Sequence, residues 1–297
     1  MLPHDLLSIG ELAERAGVSV RAVRFYSDRG LLPEAERSGG GHRRYPPQAL
    51  ERLRTIRSLR GLDVSLPEIA GVLEEDAGER LRDVVARRLE DLSAELRAMR
   101  WREAALRLLH DGPPGERAER LRLLGAVGSP PSTDAPARYW RRLLPTRLPA
   151  RIAAAVVDAA VAPLPEQPSP GQVLAFARMH ELTRAADDGC LAAHRPALAR
   201  PELLYDGLRE AYALAAPALV AGHPPAGGEA LDCFVTAHAR SHERRDTPAF
   251  RRELNGALAR GGHPVVRRYW ELAGEVSPDP TPGAVDAWLG EALSRSV

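Results

Sequence analysis

Between residues 79 and 110 the chain contains neither proline nor glycine, although it has 26 prolines and 25 glycines overall. Both residue types weaken helix interiors, so a stretch without them predicts one long helix. Its apolar residues follow the a/d spacing of a coiled coil, at Val85, Leu89, Leu92, Leu96, Met99 and Leu106. We therefore expect residues 77–110 to form a helix that pairs two copies of the chain. A helix packed only on its own domain is the alternative.

The length of 297 residues favours two domains with a connector. Apolar residues make up 44% and charged residues 27%, which is ordinary for a soluble globular protein. The two cysteines are too few for a disulfide framework. No apolar run is long enough to cross a bilayer, and no signal peptide is evident. We expect a cytoplasmic protein that does not contact membranes.

The amino-terminal segment has the spacing of a helix-turn-helix. Ser8 can cap a first helix, Gly17 can adopt the left-handed conformation that ends it, and Ser19 can cap a second helix that reaches about Arg29. The second helix leaves arginine and tyrosine side chains facing outward, as a helix that reads a DNA groove requires.

A basic β-hairpin, or wing, is predicted after the second helix. The residues from Glu34 to Gly41 resemble a loop, and the short run His42-Arg43-Arg44-Tyr45 resembles one strand. Helices are predicted at Gln48 to Arg60 and from Ser65 to about Glu75. From Arg15 to Arg60 there are 11 arginines against four acidic residues, a local excess that attracts phosphates.

Residues 8–76 resemble the MerR family of bacterial transcription regulators. The resemblance is carried by the runs Ile9-Gly10-Glu11-Leu12-Ala13, Gly17-Val18-Ser19-Val20-Arg21-Ala22-Val23-Arg24-Phe25-Tyr26, Asp28-Arg29-Gly30-Leu31-Leu32 and Arg43-Arg44-Tyr45. It implies a homodimer on double-stranded promoter DNA, in an over-long spacer that the protein bends and untwists so that RNA polymerase holoenzyme can read it. It also implies an antiparallel coiled coil after the second wing.

The resemblance also implies roles for individual residues. Ser19, Arg21 and Val20 resemble the base-facing start of the recognition helix, and Arg24 and Tyr26 resemble backbone and phosphate contacts. Arg43 and Arg44 resemble wing residues that grip phosphate, Tyr45 supports the wing, and Phe25 belongs to the core. His42 stands where the family often has an aromatic or hydrophobic residue. For the arginines a surface ion pair is the alternative, and for the two tyrosines it is packing.

The remainder of the chain is predicted to be helical. Residues 111–136 are rich in proline and glycine and indicate a linker with a short helix near Arg117 to Leu124. Residues 137–297 divide at proline and glycine signals into helices near Arg138–Leu144, Pro149–Ala160, Pro170–Ala186, Pro201–Ala221, Gly228–Arg244, Pro248–Arg260, Pro264–Gly274 and Pro282–Ser296. The fold class is therefore mainly α: a winged helix-turn-helix with a small β-hairpin wing (residues 1–76), a long dimerisation helix and an all-helical carboxy-terminal domain.

That carboxy-terminal domain is expected to sense an organic ligand. Two cysteines cannot supply the cluster of redox-sensing relatives, and neither the cysteines of metal-sensing members nor the cobalamin motif of light-sensing members is present. We therefore expect no metal and no cofactor, and leave open the roles of Cys190, Cys233 and the pair His238 and His242. A ligand pocket is predicted around Trp140, Phe176, Arg178, His180, Tyr205, Tyr212, Phe234, His238, Tyr269 and Trp270, with core packing as the alternative.

Two functions remain open from the sequence. The first is a transcription regulator that responds to a small organic ligand. The second is a ligand-independent regulator whose helical domain binds a protein partner such as RNA polymerase. No phosphate-binding loop or nucleophile elbow stands out, so we expect no enzymatic activity.

Overall fold

The computed structural model describes residues 6–74, 77–128, 131–161, 163–186, 198–260 and 263–297. The chain divides into two compact units, Met1–Glu95 and Leu96–Val297. We expected the long helix to be a separate segment between the domains. The boundary between the two units instead falls inside that helix. None of the described helices combines the length and the apolar character needed to cross a bilayer.

The first unit begins with the predicted pair of helices, α1 (Ile9–Ala16) and α2 (Val20–Asp28). Ser8 and Glu11 form a reciprocal capping box at the start of α1. Gly17 ends α1 with φ 65° and ψ 41°, a left-handed conformation that a side chain would strain. Ser19 then accepts a hydrogen bond from the Ala22 amide and caps α2.

A three-stranded antiparallel sheet connects the segment before α1 with the wing that follows α2. Its strands are β1 (Leu7–Ser8), β2 (Glu36–Arg37) and β3 (Arg43–Tyr45), in the order β1-β3-β2. Strands β2 and β3 form the predicted wing, with Glu36 opposite Arg44. We did not predict β1, in which Leu7 lies opposite Tyr45. Two residues are too few to show alternation in the sequence, and Ser8 carries the stronger signal of a helix cap.

Helices α3 (Gln48–Arg60) and α4 (Leu66–Val72) complete the helix-turn-helix unit. Helix α3 has the predicted bounds, and Ser65 and Glu68 form the predicted capping box of α4. Side chains from all of these elements share one core, whose members include Leu12, Val23, Tyr45, Leu53, Ile56 and Ile69. This common core fixes the orientation of α2 and the wing relative to each other.

Helix α5 (Ala77–His110) is the long helix that the sequence predicts. It contributes Val84 to the core of the first unit, and Trp101, Ala104 and Leu108 to the second. These residues form a different stripe from the predicted coiled-coil residues. The helix therefore packs on its own chain without using those six positions.

The second unit consists of helices in the part that the structure describes. They are α6 (Arg117–Val127), α7 (Asp134–Leu143), α8 (Ala150–Ala160), α9 (Pro170–Ala185), α10 (Pro201–Val220), α11 (Glu229–Ser241), α12 (Pro248–Ala259), α13 (Pro264–Val276) and α14 (Pro282–Ser296). Each of the eight predicted helices beyond residue 137 has its counterpart here. Prolines mark these helices well because they occupy the first turn, where the missing N–H has no partner to lose.

The prediction that residues 111–136 form a linker between domains is wrong for helix α6. Leu123 and Val127 of α6 are buried in the same core as Trp101, Tyr139 and Phe176. The proline and glycine pairs mark the turns around α6, and the helix itself belongs to the second unit. A second core of this unit gathers around Phe234 and Leu289.

Candidate functional site

Helix α2 presents an exposed polar face at its beginning. Ser19, Arg21 and Arg24 are exposed, and neither arginine has an ion pair with a residue that the structure describes. Val20 is 40% exposed beside them, so it faces outward and not toward the core. The resemblance assigns Ser19, Val20 and Arg21 to the bases and Arg24 to the phosphates, and all four side chains are accessible from solvent.

Phe25 does not belong to the core, which corrects our expectation. Its ring is 42% exposed, and the Arg29 guanidinium lies 4.5 Å from its centroid. Tyr26 is half-buried and packs against the core, with its ring edge-on to Phe25 at 5.4 Å. In this short helix only Val23 is buried. Tyr26 therefore packs as the alternative describes, and its phosphate contact stays a prediction.

Arg43 in the wing is engaged within the protein. Its Nη1 lies 2.6 Å from Asp28 Oδ1 and its Nε lies 2.9 Å from Glu34 Oε1. Asp28 first, and Glu34 to a lesser degree, raise the pKa of the Arg43 guanidinium. In this structure Arg43 thus forms an ion pair between the wing and the end of α2, as the surface-pair alternative describes. The phosphate contact of Arg43 stays a prediction.

The other wing residues divide between surface and core. His42 is exposed and Arg44 is half-buried, and Arg44 has no ion pair among the described residues. Tyr45 is fully buried and supports the wing from inside, as its place in the pattern implies. Of the two arginines in β3, Arg44 is therefore the one without an ion pair among the described residues.

Other arginines of this unit also act as structural donors, which the charge count did not reveal. Arg52 donates to the carbonyl oxygens of Leu31 and Leu73, at 2.7 and 2.8 Å. Arg57 donates to the Ala16 carbonyl at the end of α1, at 2.9 Å. Helix ends leave carbonyl groups that such side chains satisfy. The free basic surface is consequently smaller than the excess of arginine over acidic residues indicates.

The six predicted coiled-coil residues form an apolar seam on α5, and we use the word seam for them only. Leu89, Leu92, Leu96, Met99 and Leu106 are exposed, with Leu106 at 67%, and Val85 is half-buried. So many exposed apolar residues on one helix need a covering surface.

The second unit contains a cavity of about 690 Å³ with mainly apolar walls. Four of the ten predicted pocket residues line it, namely Trp140, Tyr205, Tyr212 and Trp270. The volume lies within the range of roughly 300–1,000 Å³ typical of ligand sites.

The other six predicted pocket residues lie elsewhere. Phe176, Phe234 and Tyr269 are fully buried core residues, and His180 is also buried. Arg178 is exposed, and His238 is half-buried with its ring 4.7 Å from Phe234. For the three aromatic residues the core-packing alternative is the correct one. Sequence alone could not separate wall from core, because both use large apolar side chains.

The cavity also contains polar residues that sequence reasoning missed. The Tyr212 hydroxyl donates a 2.7 Å hydrogen bond to Asp286 Oδ1. Burial raises the pKa of Asp286 and, more strongly, that of Tyr212. Asp206 and three arginines, Arg151, Arg209 and Arg267, complete the polar lining. Their spacing in the sequence gave no signal, because four separate helices supply them.

Among the described residues, no group of three or more His, Cys, Asp or Glu side chains lies together as a metal site would require. Cys233 donates to the Gly207 carbonyl through its thiol, at 3.6 Å. Burial first, and the neighbouring His242 to a lesser degree, lower the pKa of His238 to about 4. Cys190 and His194 lie outside the described residues.

Comparison with known proteins identifies the amino-terminal unit. Residues 7–76 match the family model described as "MerR HTH family regulatory protein". The mercuric resistance operon regulatory protein of Serratia marcescens is 36% identical over 103 residues, which are 34% of this chain and 72% of that protein. The chain belongs to the MerR family. The helix-turn-helix described above is the part of the chain that matches this family of regulatory proteins.

Other MerR-family relatives are longer than the region they share with this chain. The nodulation protein NolA of Bradyrhizobium sp. (strain NC92) is 37% identical over 105 residues, 35% of this chain and 44% of that protein. The HTH-type transcriptional activator TipA of Streptomyces coelicolor is 40% identical over 99 residues, 33% of this chain and 39% of that protein. The chain thus spans less than half of these two relatives. The family model ends at residue 76 and does not reach the cavity.

Proposed function

We propose that this MerR-family protein binds a promoter spacer as a homodimer, bends and untwists it, and responds to an organic ligand held in the second unit. One observation carries the DNA-binding part of the proposal. At the start of α2, Ser19, Arg21 and Arg24 are exposed and the two arginines are free of ion pairs with described residues. Arginine with free donors reads guanine edges and phosphates.

The seam on α5 supports the homodimer. Five of its six members are exposed, although Val84, Trp101 and Leu108 of the same helix are buried. A second copy of the same helix presents the same apolar stripe, and two such stripes interlock in a coiled coil. A twofold pair also places two recognition helices on one duplex, as a pseudo-palindromic operator requires.

Bending supplies the mechanism of regulation in this proposal. Deforming a promoter spacer costs roughly 1–6 kcal/mol, and contacts to phosphates on both flanks recover that cost. Arg24 and Arg44 have no ion pair with a described residue, and in this proposal they supply positive charge to those flanks. The deformed spacer aligns the promoter elements for RNA polymerase holoenzyme. TipA is named a transcriptional activator, and we propose activation here as well.

The cavity favours a ligand-responsive regulator over one whose helical unit only binds a protein. Its walls are largely apolar, and a few polar groups converge on it, as in small-molecule sites. A ligand-independent partner of polymerase would not need an internal space of this size. That second function remains the outcome to test against.

Footprinting on the gene's own upstream region tests the proposal. The purified protein should protect one pseudo-palindromic site between promoter elements, with two chains bound per site. Circularly permuted duplexes carrying the site should migrate as bent DNA. Protection of a single half-site by one chain, or a straight duplex in the complex, would contradict the homodimer and the bending.

A further inference from the structure

The walls of the cavity suit a ring-bearing molecule. Trp140 and Trp270 meet there with ring centroids 4.8 Å apart and planes at 42°. Helix α8 adds a wall of small aliphatic side chains, Ile152, Ala155, Val156 and Ala159. Flat aromatic faces and small side chains together leave room for the apolar body of an organic ligand.

Three arginines of the lining have free charges. Arg151, Arg209 and Arg267 are all exposed, and none of their side chains forms an ion pair or hydrogen bond within the part of the chain that the structure describes. Elsewhere on this protein, Arg251 and Arg244 are paired with acidic side chains. The cavity thus gathers arginines whose donors are available to a ligand.

Two of these arginines occupy positions that do not stabilise their own helices. Arg151 is the second residue of α8 and Arg267 the fourth of α13, and neither first turn contains an acidic residue. A helix amino terminus carries a partial positive charge, which disfavours a nearby cation and favours an anion. Helix stability therefore does not account for these two arginines, whereas a bound anion does.

The acidic residues of the lining do not cancel this charge. They are two, Asp206 and Asp286, against three arginines. Asp286 already accepts the hydrogen bond from Tyr212. Burial also raises its pKa, which disfavours its negative charge. An excess of positive charge therefore remains beside the apolar walls.

We propose that the cavity binds an organic anion. Its apolar, ring-bearing body packs against α8 and the two tryptophans, and at least one carboxylate, sulfonate or phosphate group pairs with the arginines of the lining. The inference rests on the proposed effector role of the cavity and adds the charge and shape of the ligand. Arginine suits this task because its fork of donors matches planar and tetrahedral oxyanions.

A matched pair of fluorescent probes tests the sign of the charge. 1-Anilinonaphthalene-8-sulfonate and N-phenyl-1-naphthylamine share one ring skeleton and differ by the sulfonate group. Both are titrated into the full-length protein. We expect the sulfonate to bind about tenfold more tightly. The variant Ala155→Phe fills the cavity from the exposed side of α8, and dye that it still binds is counted as bound elsewhere.

Arginine variants then locate the anion. Arg151→Ala, Arg209→Ala and Arg267→Ala are compared with Arg252→Ala, an exposed arginine of α12 outside the lining. At least one of the three should weaken the binding of the sulfonate dye about twofold to fivefold and leave the affinity for the neutral dye unchanged. Arg252→Ala should change neither affinity.

The outcomes separate this inference from the proposed function. Equal affinity for both dyes, with both lost in Ala155→Phe, would overturn the anion and leave a ligand cavity in place. Tighter binding of the cationic dye rhodamine 6G than of the sulfonate would overturn it in the same way. If no probe bound in a manner sensitive to Ala155→Phe, both the anion and the ligand role of the cavity would fail.

Discussion

Arg43 of the wing lies with its Nη1 2.6 Å from Asp28 Oδ1 at the end of α2. Glu34 holds the Nε of the same side chain at 2.9 Å. The wing and the recognition helix are therefore linked by charge, and Arg43 has little free charge for a phosphate. An arginine that is already paired with carboxylates neutralises less phosphate charge, so fewer counterions leave the DNA when the protein binds.

Arg43 and Arg44 should consequently differ in their effect on DNA binding. We expect Arg44→Ala to reduce the slope of log affinity against log salt by about 1 per chain, and Arg43→Ala to leave it nearly unchanged. Arg43→Ala should instead lower stability by up to about 1 kcal/mol, because its ion pairs are partly exposed. Fluorescence anisotropy at several salt concentrations, together with urea unfolding, checks both. A larger loss of slope in Arg43→Ala would return that residue to the phosphate contacts.

Leu92 tests the seam. Leu92→Glu should give monomers, because a carboxylate in a coiled-coil interface would be buried without a partner. Leu121→Glu is the control, since Leu121 is 61% exposed on α6 and lies outside the seam. Sedimentation velocity should show two chains for the control and one for Leu92→Glu. A stable dimer of Leu92→Glu would place the interface on another surface.

Gly283 lies directly against the indole ring of Trp270. A methyl group at Gly283 would come within 2.1 Å of the ring's Cγ, so the ring must move. We expect Gly283→Ala to destabilise the protein by about 1–3 kcal/mol, as overpacking does. The same substitution should also lower the affinity for N-phenyl-1-naphthylamine, because Trp270 lines the cavity.

Gly274→Ala is the matched control on α13. A methyl group there would meet nothing within 4 Å, and alanine favours helix over glycine by up to about 1 kcal/mol. Urea unfolding should therefore show a loss for Gly283→Ala and a gain for Gly274→Ala. Equal stability of Gly283→Ala and the wild type would show that Trp270 has free space to move.

The sequence predicted the bounds of most helices because their ends carry side-chain signals. Prolines open α9 to α14 in turn, except α11, and Ser8, Ser19 and Ser65 each cap a helix. Strand β1 was not predicted because it forms only by pairing with β3, which lies far away in the sequence. The short helix near Arg117 to Leu124 is present as α6, but its place in the core of the second unit was not predicted, because its flanking prolines and glycines are compatible with either a linker or tight turns.

The candidate site could be predicted where function depends on local spacing, and not where it depends on tertiary packing. The face of α2 follows from helical periodicity alone, so Arg21 and Arg24 lie outward as expected. The ion pairs of Arg43 and the carbonyl contacts of Arg52 connect residues far apart in sequence. The cavity lining combines Arg151, Arg209 and Asp286 from three helices, and no pattern in one segment reveals such a group.

His238 should make stability sensitive to acid. Burial first, and His242 to a lesser degree, lower its pKa in the folded protein to about 4, while the unfolded chain takes up the proton near the ordinary value of 6.5. The folded state therefore loses stability as pH falls from about 6.5 to about 4, by about 3 kcal/mol at most. Below the pKa of His238 in the folded protein, both the folded and the unfolded state are protonated, so this group causes no further change in stability.

Urea unfolding at pH 7 and pH 4.5 measures this loss. His238→Gln should lose less stability than the wild type over that interval, because glutamine does not titrate. His110→Gln is the control, since His110 is exposed on α5. The same acid response in His238→Gln and the wild type would assign the sensitivity to other groups.

The comparison of Arg21→Ala with the wild type tests the central claim most directly, that the exposed start of α2 reads duplex DNA. Anisotropy titrations would use the footprinted site and a scrambled duplex of equal length at the same salt concentration. We predict that Arg21→Ala loses about 1–3 kcal/mol of preference for the site while its affinity for the scrambled duplex changes little. An unchanged preference in Arg21→Ala, or a wild-type protein that binds neither duplex at low salt, would contradict the account.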